Sequence, residues 1–377
     1  MAGLSRSTMS FSEKFAGIRW SFLALLTLIA SVGFVSLYSA AGGSFEPWAG
    51  KQILRFAVGM AGLLIVTLID IRIWMKLAYP LFAVMCVLLF WVELKGHIGM
   101  GAQRWINLGF INLQPSEIMK VATVLALARF FARAGQDDAK NPFFLIIPLV
   151  LICVPVGLVM AQPDLGTAAS ILMASGAMFF LAGVPYWIFG GAIASGLAAL
   201  PILWHFMHDY QKRRVFTFLN PESDPLGAGY HITQSKIALG SGGITGKGFL
   251  QGTQSHLNFL PEKQTDFIFT LYTEEWGLIG GLALLGLFAV TIFYGYIMAF
   301  QSQHQFGRLL SVGILANFCI YIFINISMVM GLMPVVGVPL PMVSHGGTAM
   351  LSVLFGFGLF MSAYVHRDVK FHHKGSE

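Results

Sequence analysis

Two carboxylates stand at the edges of apolar runs in this sequence, where chemistry is best placed to occur. Asp266 directly precedes a long apolar run, and Asp164 follows a Gln-Pro pair at the start of another. A carboxylate in apolar surroundings is costly unless it is solvated or paired, and a carboxylate held in position can accept a proton during catalysis. Both residues could instead cap the helices that follow them, which is worth about 1 kcal/mol. The spacing alone leaves both explanations open.

Glu117 and Lys120 form a second candidate for chemistry. They lie three residues apart, just after a Gln-Pro-Ser sequence that is typical of a helix start. Residues at this spacing share one helix face, so the two side chains can form an ion pair inside an apolar helix. Such pairs are found both as structural features and along substrate paths, and the spacing is compatible with either.

Other polar motifs match known site patterns only in part. The glycine-rich stretch 240–248 lacks the first glycine and the Ser or Thr of a phosphate-binding Walker loop, so we expect a tight turn or re-entrant backbone there. His205 and His208 have no third ligand at motif spacing, which favours an interfacial position over a metal site. No nucleotide and no nucleic-acid partner is indicated.

The composition places these residues in a membrane protein. Hydrophobic residues make up 56% of the 377 and charged residues 11%, whereas about 25% of the residues of a soluble domain are charged. Apolar runs long enough to cross a hydrocarbon core of ~30 Å recur along the whole length. We therefore predict an all-α polytopic membrane protein with a single membrane domain over 1–377.

The apolar runs predict about ten transmembrane helices, which place both termini on one side. Basic residues concentrate on that side, so the N-terminal segment 1–17 and the tail 366–377 are expected in the cytoplasm. The segment 207–265, between the seventh and eighth helices, is then a long extracytoplasmic loop. The predicted helices cover 18–40, 53–70, 75–93, 115–133, 143–161, 165–183, 185–206, 266–299, 307–331 and 345–365.

Several segments together resemble the SEDS family (shape, elongation, division and sporulation) over nearly the whole chain. Gln103 and the Pro-Val-Val-Gly-Val-Pro run at 334–339 favour its elongation branch over its division branch. The family's usual Ser-Tyr-Gly-Gly reads Ser-His-Gly-Gly here, with His345 in place of the tyrosine. The segments that carry the resemblance are 101–105, 114–120, 162–167, 220–231, 246–254, 261–269 and 334–341.

The resemblance implies a peptidoglycan glycosyltransferase of the bacterial cytoplasmic (inner) membrane. Such an enzyme polymerises lipid II, an undecaprenyl-pyrophosphate-linked disaccharide pentapeptide, into β-1,4 glycan strands on the extracytoplasmic face, for cell elongation and rod shape. Members of the elongation branch work with a class B penicillin-binding protein, which cross-links the strand, within a larger elongation complex.

The resemblance also supports roles for the candidate residues. Coupling a sugar hydroxyl to an anomeric carbon needs a base for the proton and positive charge for the pyrophosphate leaving group. Asp266 is the expected base. The candidates for substrate contact are Lys120, Arg104 and Lys212, with Glu117 orienting Lys120 and Asp164 helping to bind substrate. Either Asp164 or Asp266 could also hold a divalent cation such as Mg²⁺ or Mn²⁺.

Two other function classes are compatible with the same features. A many-helix protein that handles lipid II could be a flippase that moves it across the bilayer, and buried charges would suit that role. It could also be a non-catalytic scaffold of the elongation complex. The concentration of polar motif residues near Asp266, on one face of the membrane, favours the polymerase.

Overall fold

The computed structural model describes residues 9–99, 102–107, 109, 112–135, 138–206, 209–220, 227–256 and 262–369. The parts of the predicted termini at 1–8 and 370–377, and His208, lie outside these residues. The helices are α1 (Phe11–Ala16), α2 (Trp20–Ala40), α3 (Ala49–Leu68), α4 (Ile71–Lys95), α5 (Pro115–Phe131), α6 (Ile146–Ala161), α7 (Leu165–Leu181), α8 (Tyr186–Phe206), α9 (Asp209–Leu219), α10 (Ala228–Ser241), α11 (Thr253–His256), α12 (Ile268–Phe300), α13 (Gln305–Val329) and α14 (Gly347–Val365).

A small antiparallel sheet lies between α4 and α5. Its strands are β1 (His97–Gly99), β2 (Ala102–Asn107) and β3 (Asn112–Leu113), in the order β1-β2-β3. The sequence did not predict this sheet. The strands are short, and their residues do not show the regular alternation of apolar and polar side chains by which a strand is recognised.

Each predicted membrane span coincides with a helix of the structure, which confirms the polytopic helical fold. Within the described part of the chain, α2, α3, α4, α12, α13 and α14 are the six helices long and apolar enough to cross a membrane on their own. Apolar stretches in α6, α7 and α8 are shorter. Helix α5 has 17 residues and is almost entirely buried, so its Glu117 and Lys120 side chains are shielded from lipid by its neighbours.

Helices α5, α13 and α14 form the centre of the bundle, and small residues let their neighbours approach closely. A Cβ added to Gly33 of α2 would come within 2.6 Å of the Val343 Cα, and one added to Gly313 of α13 within 2.6 Å of a Val124 methyl group on α5. Lipid tails are as apolar as the helices, so such close packing, and not hydrophobic burial, holds membrane helices together.

The predicted loop 207–265 contains helical structure where it is described. Helix α10 packs against α12 and α13. The Ser235 hydroxyl donates a hydrogen bond to the carbonyl of Val329 (2.8 Å) and lies 2.8 Å from the Thr270 hydroxyl. Residues 221–226 lie outside the described residues, and α10 begins at Ala228. The segment is therefore attached to the bundle along its second half.

The glycine-rich stretch forms the predicted tight turn. The backbone of this turn is hydrogen-bonded to α12 at a break in the helix. The break lies at Gly277, whose φ of 65° and ψ of −164° are not helical. Backbone groups of α12 beside the break bond to the turn: the Leu278 amide donates to the Gly243 carbonyl (2.9 Å), and the Glu274 carbonyl accepts from the Lys247 amide (3.0 Å). A Cβ on Gly246 would overlap the carbonyl of Glu275, so the backbones meet only because this position is glycine.

Candidate active site

Asp266 lies in the turn 262–267, directly before α12 begins at Ile268. The N-cap residue of α12 is Phe267, and no side chain caps this helix. The Thr265 hydroxyl instead bonds to Glu262, at 3.1 Å from its carboxylate. The capping explanation for Asp266 is therefore not realised.

The backbone of Asp266 is fixed by α13 and by the segment 334–341. The Asn325 side chain of α13 donates to the carbonyls of Asp266 (2.9 Å) and Val338 (2.7 Å). Gly337 has a φ of 73°, and a Cβ there would lie 3.5 Å from the Asp266 Oδ2. Within the described residues, no hydrogen bond reaches the Asp266 carboxylate itself. Its position is thus held while its oxygens are left available.

The surroundings of Asp266 favour a proton acceptor that works near neutral pH. Burial, and to a lesser extent the negative charge of Glu262, raise the pKa of its carboxyl from an ordinary 3.8, the charge of Arg214 on α9 lowers it, and the net pKa is about 6. A general base is most effective when its pKa lies near the working pH. Asp266 therefore has both the access and the basicity that the role requires.

Asp164 is the N-cap of α7, which realises one of the two explanations that its sequence position left open. Its Oδ1 accepts from the Thr167 amide (3.2 Å), and its Oδ2 accepts from the Thr167 hydroxyl (2.9 Å) and from the Gln114 amide group (3.1 Å). Arg104 of β2 lies 3.9 Å away and also donates to the carbonyls of Gln162 and Pro163. Asp164 and Arg104 thus join the sheet to the start of α7.

Glu117 and Lys120 form the predicted ion pair, 2.7 Å apart and buried in the centre of the bundle. The Tyr321 hydroxyl of α13 donates to Glu117 and contacts the Lys120 amine, while the Ser352 hydroxyl of α14 lies 3.4 Å from Glu117. We call these four residues the ion-pair cluster. Tyr321 and Ser352 were not predicted, because they come from helices far along the chain and no sequence motif marks them.

The predicted residues converge on the segment 334–341. Gly166, in the first turn of α7 beside Asp164, packs against the Val336 carbonyl and the Val338 side chain. Tyr321 of the ion-pair cluster lies one helical turn from Asn325, which binds Val338. The structure therefore brings Asp266, Asp164 and the ion-pair cluster around one segment.

Lys212 lies on α9 and is half-buried. In the part of the chain that the structure describes, no contact joins it to the other predicted site residues. The charge of α9 that acts on Asp266 is that of Arg214, two positions away. Arg214 was not among the predicted site residues, and the contact between Lys212 and substrate stays a prediction.

A polar cavity of about 470 Å³ adjoins Asp266 through Thr265. The Ser344 hydroxyl donates to the Thr265 carbonyl (2.6 Å), and the His345 amide donates to that of Gln264 (2.8 Å). These bonds join the start of α14 to the turn that carries Asp266. The lining includes Arg55, Trp105, Asn112, Thr265, His345 and Gly347, and we call it the polar pocket.

Arg55 and His345 meet in the polar pocket. The Arg55 NH1 lies 3.2 Å from the His345 Nε2. Burial, together with the charges of Arg55 and Lys51, lowers the pKa of His345 to about 4, so the ring is neutral at physiological pH and its Nε2 accepts from Arg55. Arg55 was missed from the sequence, although an arginine in the second turn of an apolar helix was a usable signal.

The described residues do not form a binding site for a divalent cation from protein side chains alone. They contain no group of three or more His, Cys, Asp or Glu side chains that could hold a metal ion. The Asp164 oxygens are already hydrogen-bonded, and Asp266 offers a single carboxylate. Magnesium needs six oxygen ligands, so no step of the reaction is assigned to a metal.

The sequence matches, over residues 19–369, the family described as Cell cycle protein, which comprises FtsW, RodA and SpoVE. The chain belongs to the FtsW/RodA/SpoVE family. The resemblance to the SEDS family is thereby confirmed, and it extends from the start of α2 to the end of the described chain.

Within the FtsW/RodA/SpoVE family, the chain is similar to proteins of known name and structure. It is 46% identical to the peptidoglycan glycosyltransferase MrdB of Escherichia coli K12, over 92% of this chain and 93% of that one. A chain of a solved peptidoglycan synthase complex that coordinates polymerization and crosslinking is 29% identical, with a TM-score of 0.78 over 93% of this chain and 98% of that one. The rod shape determining protein RodA of Thermus thermophilus is 26% identical, with a TM-score of 0.70 over 93% of this chain and 97% of that one.

Proposed function

We propose that this chain is a peptidoglycan glycosyltransferase that polymerises lipid II into β-1,4 glycan strands for cell elongation and rod shape. Its relatives support the activity, since the Escherichia coli protein at 46% identity is named a peptidoglycan glycosyltransferase. The observation that carries the proposal within this chain is Asp266: a carboxylate with a raised pKa, a fixed backbone and a polar cavity beside it.

Asp266 acts as the general base in the proposed reaction. The 4-hydroxyl of one sugar attacks the anomeric carbon of another, the proton passes to the Asp266 carboxylate, and the bond to the polyprenyl pyrophosphate breaks. Positioned proton transfer of this kind contributes about 10²–10⁴-fold to the rate. Asp266 suits the step because no described neighbour occupies its oxygens and its pKa of about 6 leaves it ionised at neutral pH.

The proposed active site faces the outside of the cytoplasmic membrane. Asp266 lies at the end of the bundle where α12 and α14 begin, since the His345 amide bonds to the Gln264 carbonyl. Basic residues gather at the opposite end: Arg19 bonds to Tyr364 near the end of α14, and Lys14 bonds to the last residue of α3, Leu68. Loops rich in Lys and Arg stay in the cytoplasm, which supports an extracytoplasmic position for Asp266.

A class B penicillin-binding protein is the proposed partner. A structurally similar chain, at a TM-score of 0.78, comes from a synthase complex that couples polymerization to crosslinking. An extracytoplasmic Asp266 would release the glycan strand on the side where crosslinking occurs. We expect the pair to act within a larger elongation complex.

The deciding experiment supplies labelled lipid II to the outer face of liposomes that contain the purified chain, with and without the penicillin-binding protein. Polymer formed by the wild type and lost in Asp266→Asn would support the polymerase. The control is Asp368→Asn, which removes an exposed carboxylate at the opposite end of the bundle. Polymer of normal amount from Asp266→Asn would overturn the assignment.

The same liposomes distinguish the competing functions. Translocation of lipid II without polymer would favour a flippase, and neither activity would favour a scaffold. The flippase hypothesis drew on Glu117 and Lys120 as charges on a substrate path. In the structure both are enclosed by Tyr321 and Ser352, which fits a structural role better.

Dependence on Mg²⁺ or Mn²⁺ stays a prediction for this activity. It would require the substrate pyrophosphate to supply most of the ligands, as magnesium sites with one or two carboxylates commonly do. Removal of divalent cations with a chelator should lower polymer formation, and their return should restore it. Unchanged polymerisation after chelation would exclude the requirement.

A further inference from the structure

The cations predicted to contact the pyrophosphate are largely engaged elsewhere. Lys120 is paired with Glu117 inside the bundle, and Arg104 donates to two carbonyls and lies near Asp164. A leaving group that carries negative charge still needs a cation near Asp266. The structure offers one that the sequence did not single out, Arg55.

Arg55 lines the polar pocket with no carboxylate to neutralise it. Within the described residues no Asp or Glu lies within ion-pair distance of its guanidinium, and its one hydrogen-bond contact is to the His345 ring. A guanidinium that is half-buried at a membrane helix without a counter-ion is costly. An anion that enters the pocket would remove that cost.

The start of α14 adds uncharged donors on the same wall. Gly346 is the N-cap of α14 and no side chain caps the helix, so the amides of its first turn have no partner from a cap. Gly346, Gly347 and Thr348 all line the cavity. A Cβ on Gly347 would lie 3.2 Å from the Arg55 guanidinium carbon, so the helix start and the cation are in direct contact. Together they offer the donors and the positive potential that phosphate groups bind.

His345 holds the guanidinium in place. Its neutral ring accepts from the Arg55 NH1 through Nε2, and its backbone amide is tied to the turn that carries Asp266. The remaining guanidinium donors can then bind a phosphate with the forked geometry that arginine, unlike lysine, supplies.

We propose that Arg55, oriented by His345 and joined by the first turn of α14, forms the subsite that binds the pyrophosphate of the lipid-linked sugar. This inference rests on the proposed function for the identity of the substrate. The group that the subsite would recognise is a pyrophosphate ester on a polyprenyl chain. Both the substrate and the released lipid carry this group. The subsite lies next to Asp266, through Thr265, so it would hold the leaving group beside the base.

The first test measures binding without turnover. Labelled undecaprenyl pyrophosphate is bound to the full chain in detergent, and inorganic pyrophosphate and phosphatidylglycerol are added as competitors. We expect Arg55→Gln to weaken binding by about tenfold or more, as loss of a charge-assisted hydrogen bond does, and Arg55→Lys to restore part of the affinity. Arg308→Gln, which removes an exposed arginine at the opposite end of the bundle, should bind as the wild type does.

Two outcomes of this test would overturn the subsite. One is equal affinity of Arg55→Gln and the wild type for undecaprenyl pyrophosphate. The other is competition by phosphatidylglycerol as strong as that by inorganic pyrophosphate, because the pocket would then be a phospholipid headgroup site. Melting temperatures measured on the same samples show whether Arg55→Gln is folded, and Arg55→Lys keeps the test informative if it is not.

The second test separates the subsite from the chemistry. In liposomes that form polymer, Arg55→Gln should raise the KM for lipid II more than it lowers kcat, and Arg308→Gln should change neither. If the wild type binds undecaprenyl pyrophosphate through Arg55 but forms no polymer, the proposed function fails and the subsite stands. A loss of kcat alone, with unchanged KM and unchanged binding, would contradict the subsite.

Discussion

The ion-pair cluster and the polar pocket both place charges inside an apolar bundle, but they differ in how those charges are satisfied. In the cluster, Glu117 and Lys120 neutralise one another, and Tyr321 bonds to both. The Arg55 guanidinium in the pocket, and the Asp266 carboxylate in the turn beside it, have no opposite charge bonded to them among the described residues. The first arrangement fixes helices in place, and the second leaves groups available to a substrate.

The two regions are joined by one turn of α13. Tyr321 closes the ion-pair cluster, and Asn325, four residues later, holds the Asp266 backbone. The side chains of such residues lie on the same helix face. A structural charge pair can therefore affect catalysis through the position of α13, without touching substrate. Variants in each region should distinguish an indirect effect through the position of α13 from a direct effect on the reaction.

The largest expected effect is the loss of polymerisation in Asp266→Asn. The amide cannot accept the proton, so the rate should fall by about 10²–10⁴-fold, the usual contribution of a general base. Thermal unfolding of the variant in detergent should occur no earlier than that of the wild type, because no described hydrogen bond reaches this carboxylate and the amide removes the cost of burying its charge. A variant that unfolds early would show instead that Asp266 is structural, like the ion-pair cluster.

The ion-pair cluster should show the opposite behaviour. Lys120→Met leaves Glu117 buried without its counter-ion, and removal of one partner from a buried pair destabilises a protein by about 3–5 kcal/mol. Thermal unfolding measures this loss. The matched control is Lys120→Met combined with Glu117→Leu, which removes both charges and should recover part of the stability. If the double variant unfolds no later than the single one, the pair is not the source of the effect.

Much of this arrangement could be predicted from local sequence. Apolar runs gave the helices of the membrane bundle, the Gln-Pro-Asp order gave the cap at Asp164, and the spacing of Glu117 and Lys120 gave their ion pair. Each of these features is decided within a few neighbouring residues. The glycine-rich turn was predicted for the same reason, from its lack of Cβ atoms.

The contacts that give these residues their roles could not be predicted in the same way. Tyr321 meets Glu117 across 204 positions of the chain, and Arg55 meets His345 across 290. Hydropathy shows that a helix exists but not which helix packs beside it. The break in α12 at Gly277 was missed for the same reason, since it depends on pairing with the turn near Gly243.

The pH dependence of the rate is a smaller expected effect, and it concerns Asp266 beside the polar pocket. Burial raises the pKa of Asp266 to about 6, so the basic form is lost as the pH falls through 6. We expect kcat/KM to fall about tenfold for each pH unit below that value and to level off above it. The profile of lipid II polymerisation measures this. A midpoint near 4 would indicate an ordinary, solvated carboxylate.

The same raised pKa predicts a change in stability with the opposite dependence on pH. The folded protein favours the protonated carboxyl, so the cost of burying its charge is absent below pH ~4 and fully present above pH ~6. The wild type should therefore lose stability relative to Asp266→Asn as the pH rises through this window. Parallel unfolding curves at all pH values would contradict the burial of this charge.

The smallest expected effect concerns Asp164. Its variants can distinguish a role as helix cap from a role in contact with substrate. Asp164→Ala should lower stability by about 1 kcal/mol through loss of the cap on α7, and Asp164→Asn should regain most of it, since Asn caps as well as Asp. Thermal unfolding tests this order. Polymerisation by the Asn variant then tests the charge alone, because its cap is kept. A stable Asp164→Asn protein with little activity would support the predicted contact between Asp164 and substrate, whereas normal activity would place Asp164 with the ion-pair cluster, as a residue that holds helices together.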